Sequence, residues 1–204
     1  MGNQVVDNFT KAFYLSGIQM HWQGIPVFQN PLDMWMMQEV IWDTKPDIII
    51  ETGSANGGSA LFFTSVFPGE VISIDTWEGN KKPIVEHGRI IFIKGSSISR
   101  EVLDEVSEEV MRMRCMVLLD SDHSERHVLA ELCAYSQFVS PGCYLVVHDT
   151  HLGGNPVFDD TQYQNDPMSA VRKFMEGNEE FEVDRTRERF MMTYSPQGWL
   201  RRRK

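Results

Sequence analysis

The sequence has no long hydrophobic run. Its longest apolar stretches, such as Ile48–Ile50, Ile90–Ile93 and Met116–Leu119, hold only a few residues, where a membrane-spanning helix needs about 20. It has few cysteines, three in all (Cys115, Cys133 and Cys143). An odd number of thiols set among apolar residues argues against a disulfide framework and for buried free thiols in a reducing cytoplasm. The first 20 residues lack a basic start followed by a long apolar stretch, so no signal peptide is expected. Positive charge is in deficit: 19 Lys and Arg stand against 29 Asp and Glu, a net charge of −10. That balance disfavours nucleic acid and membrane surfaces as main partners. The one basic cluster, Arg201-Arg202-Arg203-Lys204, reads as a solvated tail. Repeats and low-complexity segments are absent.

What remains is a chain of 204 residues with 42% hydrophobic and 24% charged residues, the profile of one globular domain with a real core. Short β-rich runs alternate with helical stretches. The runs are Asp47–Glu51, Val71–Asp75, Ile90–Lys94, Cys115–Asp120 and Tyr144–Asp149. Strands apolar on both faces belong to a parallel sheet covered by helices. The segments Gly58–Val66, Arg100–Met113, Ser124–Val139 and Pro167–Glu176 suit those helices, with Ser124 as an N-cap. Phe181–Arg185 and Arg189–Tyr194 are expected to pair as an antiparallel hairpin. The whole reads as an open α/β sheet. Residues 1–45 form a preceding cap segment with a helix from about Leu32 to Trp42, residues 46–200 the α/β domain, and 201–204 the tail.

Ligands of such sheets bind beyond the carboxyl ends of the strands. Acids gather there: Glu51, Asp75, Asp120 with Asp122 and His123, and His148-Asp149. Any one could cap a helix, but four strand ends on one edge are hard to explain as caps. Glu51 opens a glycine loop, Thr52-Gly53-Ser54-Ala55-Asn56-Gly57-Gly58-Ser59. No Lys-Ser/Thr follows it, so it is not a P-loop, and its spacing departs from the dinucleotide fingerprint. An acid beside the loop suits a cationic ligand group and would repel a pyrophosphate. Asp75, 22 positions after Gly53, suits both hydroxyls of a ribose. A nucleoside with a cationic, phosphate-free tail describes S-adenosylmethionine (AdoMet). Clustered acids at Asp120, Asp122 and Asp149 call for a divalent cation or raised pKa values. Carboxylates favour Mg²⁺, while His148 would admit softer ions such as Mn²⁺, Fe²⁺ or Zn²⁺.

From about Trp22 to Arg201 the sequence resembles the cephalosporin hydroxylase family, whose members look like class I AdoMet-dependent methyltransferases and include rhamnosyl O-methyltransferases. The matching residues include Trp22-x-Gly24-x-Pro26, Gln29-x-Pro31-x-Asp33-x-Trp35, Glu51-Thr52-Gly53, Leu118 to Ser124, His127-Val128-Leu129, Glu131-Leu132, Ser140-Pro141-Gly142 and Asp149-Thr150. The resemblance implies a Rossmann-like sheet of seven mostly parallel strands, helices on both faces and a C-terminal antiparallel pair. It implies cofactor contacts from Glu51, Gly53, Ser54, Gly57 and Ser59, from Asp75 and Thr76, from Ser96 and Ser97, and from Asp120 and Ser121. Asp122, His148 and Asp149 fall on the metal-ligand positions, with Mg²⁺ (or Mn²⁺) as the ion and Asp120 as an alternative first ligand. His123 and His151 flank that point and are candidate bases. Self-association into a homo-oligomer is also implied.

The departures are His148 where the family usually has Glu, Ser96 where it usually has an acid, and partial divergence around Gly153–Pro156 and Gln164–Pro167. The activity implied is metal-assisted O-methylation of a small-molecule hydroxyl, on a sugar or natural product. The alternatives are a mononuclear non-haem iron hydroxylase, a non-catalytic AdoMet-binding protein and an NAD-dependent dehydrogenase. Bland roles are expected elsewhere. His127 is a packing or surface residue, Met34–Met37 core or subunit interface, Phe62, Phe63 and Phe67 helix packing, and Trp22 a cofactor cover or core.

Overall fold

A computed structural model describes residues 4–78, 82–158 and 165–203. The chain begins with helix α1 (Gln4–Leu15), a short antiparallel ribbon β1 (Met20–Trp22) and β2 (Ile25–Val27), and helix α2 (Pro31–Thr44). Alternating units follow: β3 (Ile48–Thr52), α3 (Gly58–Val66), β4 (Glu70–Asp75), β5 (Ile90–Lys94), α4 (Arg100–Glu109), β6 (Cys115–Leu119), α5 (Glu125–Tyr135) and β7 (Tyr144–Val147). Helix α6 (Pro167–Met175) and strands β8 (Phe181–Val183) and β9 (Trp199–Arg202) close the chain.

Seven strands form one sheet in the order β5-β4-β3-β6-β7-β9-β8. The first five of that order run parallel, and β9 lies antiparallel to both β7 and β8. β3, β6 and β7 are buried along their whole length, as expected for strands covered by helices on both faces. The chain winds outward in one direction from β3 and in the other from β6. The carboxyl ends of these two neighbours therefore mark the crevice where such sheets bind ligands. Thr52 pairs with Leu119, which sets Gly53 beside Asp120.

Capping fixes where the helices begin. Asn30 accepts from Leu32 N with Pro31 in the first turn of α2, and Ser124 accepts from His127 N at the start of α5. Asp166 does the same for α6.

The structure corrects three expectations. Arg189–Tyr194 is not a strand; β8 pairs with β9, because the fully buried Trp199 and Leu200 fill the place between β7 and β8. Arg201 and Arg202 are not a solvated tail. They belong to β9, and Arg202 donates to Val139 O at 2.6 Å and to Glu180 Oε2 at 2.8 Å. Lys204 lies outside the described residues. Cys115 and Cys143 are buried as expected, but Cys133 is exposed on α5. Helix α1 had no expectation, since it buries only Thr10 and leaves Val5, Phe9 and Leu15 exposed.

Candidate active site

The glycine loop between β3 and α3 floors the crevice. At Gly53 φ is +92°, and a Cβ there would sit 2.0 Å from the Asp120 carbonyl oxygen. Only glycine allows that conformation and that approach. The resulting cleft holds about 650 Å³, with Gly53, Asp75 and Thr76 on one side and Ser121, His123 and Asp149 on the other. That is within the usual range for small-molecule sites. Asp75 is oriented by two loops: Oδ2 accepts from Ala55 N of the glycine loop at 2.9 Å and Oδ1 from Trp77 N of its own loop at 3.2 Å.

Beneath the floor lies Glu51, fully buried. Its Oε2 accepts from Ser73 Oγ at 2.7 Å, and Ser73 Oγ lies 2.9 Å from Ser54 Oγ, from which it can accept. Burial pushes the Glu51 carboxyl up to about 8, and the nearby charges of Asp120 and Asp75 act in the same direction.

At the far end three side chains converge. Asp120, His123 and Asp149 offer ligand atoms within 4.8 Å of one another. His123 Nε2 stands 3.1 Å from Asp149 Oδ2 and 3.8 Å from Asp120 Oδ1. Asp149 takes a left-handed backbone, φ 58°, in the turn after β7. Asp tolerates that conformation better than most residues. Burial, reinforced by the charge of Asp120, pushes Asp149 up to about 7. Burial opposes a charge on His123, but the hydrogen bond and charge of Asp120, with those of Asp149 and Asp122, outweigh it and hold the imidazole up at about 9. Two carboxylates and an imidazole at this spacing fit a divalent cation.

A second network stands behind the other wall. Ser97 Oγ donates to Glu131 Oε1 at 2.5 Å, and Ser121 Oγ donates to the same oxygen at 2.7 Å. His127 Nε2 is 3.1 Å from Ser97 Oγ and 3.4 Å from Glu131 Oε1. The Glu131 carboxylate, completely buried, holds the His127 imidazole above its ordinary value.

Residues 15–203 match the Rhamnosyl O-methyltransferase/CmcI family. The chain belongs to it. A rhamnosyl O-methyltransferase of Mycobacterium leprae is 33% identical over 195 residues, covering 89% of this chain and 82% of that one. One from Mycobacterium bovis is 29% identical over 212 residues, covering 96% and 84%. A solved structure of CmcI in its D160 form with Mg and SAM superposes with a TM-score of 0.68 at 18% identity, over 91% of this chain and 77% of that one. MycE, a methyltransferase of mycinamycin biosynthesis solved with Mg, SAH and mycinamycin VI, gives 0.53 at 19% identity, over 82% and 44%. The seven-stranded class I methyltransferase fold expected from the sequence is the fold found.

Within that family fold, the expected site residues divide. Gly53, Asp75, Thr76, Ser96, Ser97, Asp120 and Ser121 line the cleft. Glu51, Ser54 and Ser59 are buried under the loop, and Gly57 faces Phe92 and Val85. Asp149 joins the cluster at the far end of the cleft, but its companions are Asp120 and His123. Asp122 turns to the start of α5, where Oδ1 accepts from Ser124 N at 2.7 Å. His148 is buried, with Nδ1 3.9 Å from Asp120 Oδ2 and Nε2 without a partner among the described residues. Burial holds its pKa below the ordinary value.

His151 is not in a position to act as a base. It is fully buried, stacked on Tyr194 at 4.2 Å, and burial drops its pKa to about 3. Trp22 packs edge-on to Phe62 at 5.0 Å and donates to Ser65 Oγ at 3.1 Å, so it anchors the ribbon to α3. His127 does more than the packing or surface role expected of it. It, Glu131, Phe28 and Gln29 were not assigned to the site from sequence, although three of them fall inside the matching motifs. Only tertiary packing brings them to the cleft.

Proposed function

We propose that the cleft carries out metal-assisted transfer of the AdoMet methyl group to a hydroxyl of a small molecule, a sugar or a glycosylated natural product. The chain is an AdoMet-dependent O-methyltransferase. The observation that carries this reading is the Asp120–His123–Asp149 cluster, placed at the mouth of a glycine-floored cleft at the sheet's switch point. Asp75, held by two backbone N–H groups, presents its carboxylate to the ribose hydroxyls. Ser96 and Ser97 stand at the adenine end, where the buried Glu131 fixes the Ser97 hydroxyl. The Gly53 backbone and the deeper Glu51 suit the methionine end.

Asp120 and Asp149 would hold a divalent cation beside His123, and it would supply Lewis acidity that lowers the pKa of a neighbouring hydroxyl. The chain's own part is to orient the acceptor oxygen in line with the sulfonium and exclude water. It also takes up the hydroxyl proton. With the cation on the two carboxylates in place of its ion pair with them, His123 Nε2 at the cleft surface is a neutral imidazole positioned to accept that proton. Burial of His151 and the retracted His148 leave one imidazole in the cluster. The two-histidine, one-carboxylate set of an iron hydroxylase is therefore not assembled.

Residues 1–45 serve as a cap, since Gln29 and Phe28 reach the cleft from it. Among the described residues no helix is long and apolar enough to cross a membrane. The reading carries with it a cytoplasmic location, consistent with unpaired cysteines, and self-association, for which exposed Trp35 and Trp42 on α2 offer a surface.

Methyl-labelled AdoMet incubated with a panel of deoxysugar glycosides tests the proposal. Label should pass to an acceptor hydroxyl only when divalent cation is present, and His123→Ala should slow transfer by about 10²–10⁴-fold. Transfer that survives chelation at full rate would contradict the metal-assisted reading.

A further inference from the structure

We propose that Gln29 is a positioning residue of the cation cluster, acting through Asp120. Its Nε2 donates to Asp120 Oδ2 at 2.5 Å across 91 positions of sequence. The orientation of the amide is fixed by chemistry, because its carbonyl oxygen at that distance from a carboxylate would be repelled. The side chain is buried, and Oε1 has no hydrogen-bond partner among the described residues. A buried unpaired acceptor is costly. The fold accepts that cost at a site where the amide's donor is committed to one carboxylate oxygen.

The geometry divides the work of Asp120. Oδ2 is occupied by Gln29, with His148 Nδ1 at 3.9 Å, while Oδ1 is the oxygen near His123 Nε2, at 3.8 Å. Without the amide the carboxylate could rotate and withdraw Oδ1 from the cluster. Hydrogen bonds of this outer kind set ligand orientation, and their loss typically lowers metal affinity by about 10–100-fold.

The amide is itself held in place. Gln29 follows β2 and immediately precedes the Asn30 cap of α2. The ribbon lies against α3 so closely that a Cβ on Gly58 would sit 2.2 Å from the Pro26 carbonyl oxygen. Phe28, its neighbour, lines the cofactor cleft. The cap segment therefore reaches both halves of the site.

This inference rests on the reading of the cluster as a cation site, and the test separates the two. Mn²⁺ binding to the full chain is followed by the loss of the free-ion paramagnetic resonance signal. Three variants are compared with the wild type. Gln29→Met keeps volume and removes the amide. Gln29→Asn keeps a buried amide but draws it back by one methylene, and covers the case in which the methionine variant does not fold. Trp22→Phe removes the Ser65 hydrogen bond and loosens the same ribbon without touching Asp120.

The expected result is a Kd for Mn²⁺ raised about tenfold or more in both Gln29 variants, with Trp22→Phe within twofold of wild type. Gln29 variants that bind Mn²⁺ like wild type would overturn the proposal. So would an equal loss in Trp22→Phe, which would assign the effect to a loosened ribbon. If the wild type itself binds no Mn²⁺, the cluster reading fails and the inference falls with it.

Discussion

The buried Glu51 contributes stability that is lost as pH rises, and Glu51→Gln should remove that contribution to the pH dependence. The folded carboxyl titrates at about 8 against an ordinary 4.5. Between those values the folded state holds a proton that the unfolded chain has released. Stability is therefore fully present below the unfolded pKa and is lost as pH climbs through the folded one. The slope approaches about 1.4 kcal/mol per pH unit, so the Glu51 contribution falls by about 3 kcal/mol between pH 5 and pH 7.5. For a domain of this size that corresponds to about 6–12 °C in Tm.

Glutamine keeps the shape of the protonated acid and cannot ionise. The assay is thermal melting of wild type and Glu51→Gln across that range. The difference in Tm between variant and wild type isolates this group from the others that titrate there. It should be small at pH 5 and widen in favour of the variant toward pH 7.5. A difference that stays constant with pH would refute the reasoning and mean that the carboxyl is ionised in the folded state.

Asp149→Asn should abolish divalent-cation binding, whereas Asp122→Ala should keep Mn²⁺ affinity within twofold and instead lower stability by about 1 kcal/mol through loss of its bond to Ser124 N; Mn²⁺ titration alongside melting checks both. Asp75→Ala should weaken AdoMet binding by about tenfold or more, since hydrogen bonds to a charged group contribute about 1.5–3 kcal/mol; equilibrium dialysis with labelled AdoMet reads this directly. Arg202→Ala should lower Tm by about 2–8 °C, because it strips partners from the Val139 carbonyl and from Glu180. A solvated tail residue would show no change.

The sheet was legible because its strands are continuous apolar runs that end in acids or charged residues. β5 was located at its observed bounds, and the other four parallel strands to within two residues at either end. The C-terminal pairing was not legible. Arg189–Tyr194 is apolar enough, after a short charged connection, to resemble a strand, but burial of Trp199 and Leu200 decides which segment joins β7 and β8, and their depth is a tertiary fact. Arg201 and Arg202 read as a tail for the same reason: the charge pattern hides the strand they end.

At the site, sequence brought the right strand ends together but could not say which carboxylate turns inward. Asp120 and Asp122 are two residues apart, and the cap of α5 claims one of them. His151 lies two residues from Asp149 and looks like a base in sequence, yet its ring is packed against Tyr194. Gln29 reaches Asp120 from 91 positions away, and no local signal reports such a contact.

The most direct test of the central claim is calorimetric titration of the purified protein with AdoMet, with and without a divalent cation. The account predicts micromolar binding of AdoMet at one site, and binding of the cation that Asp149→Asn eliminates. No AdoMet binding in either condition would contradict it.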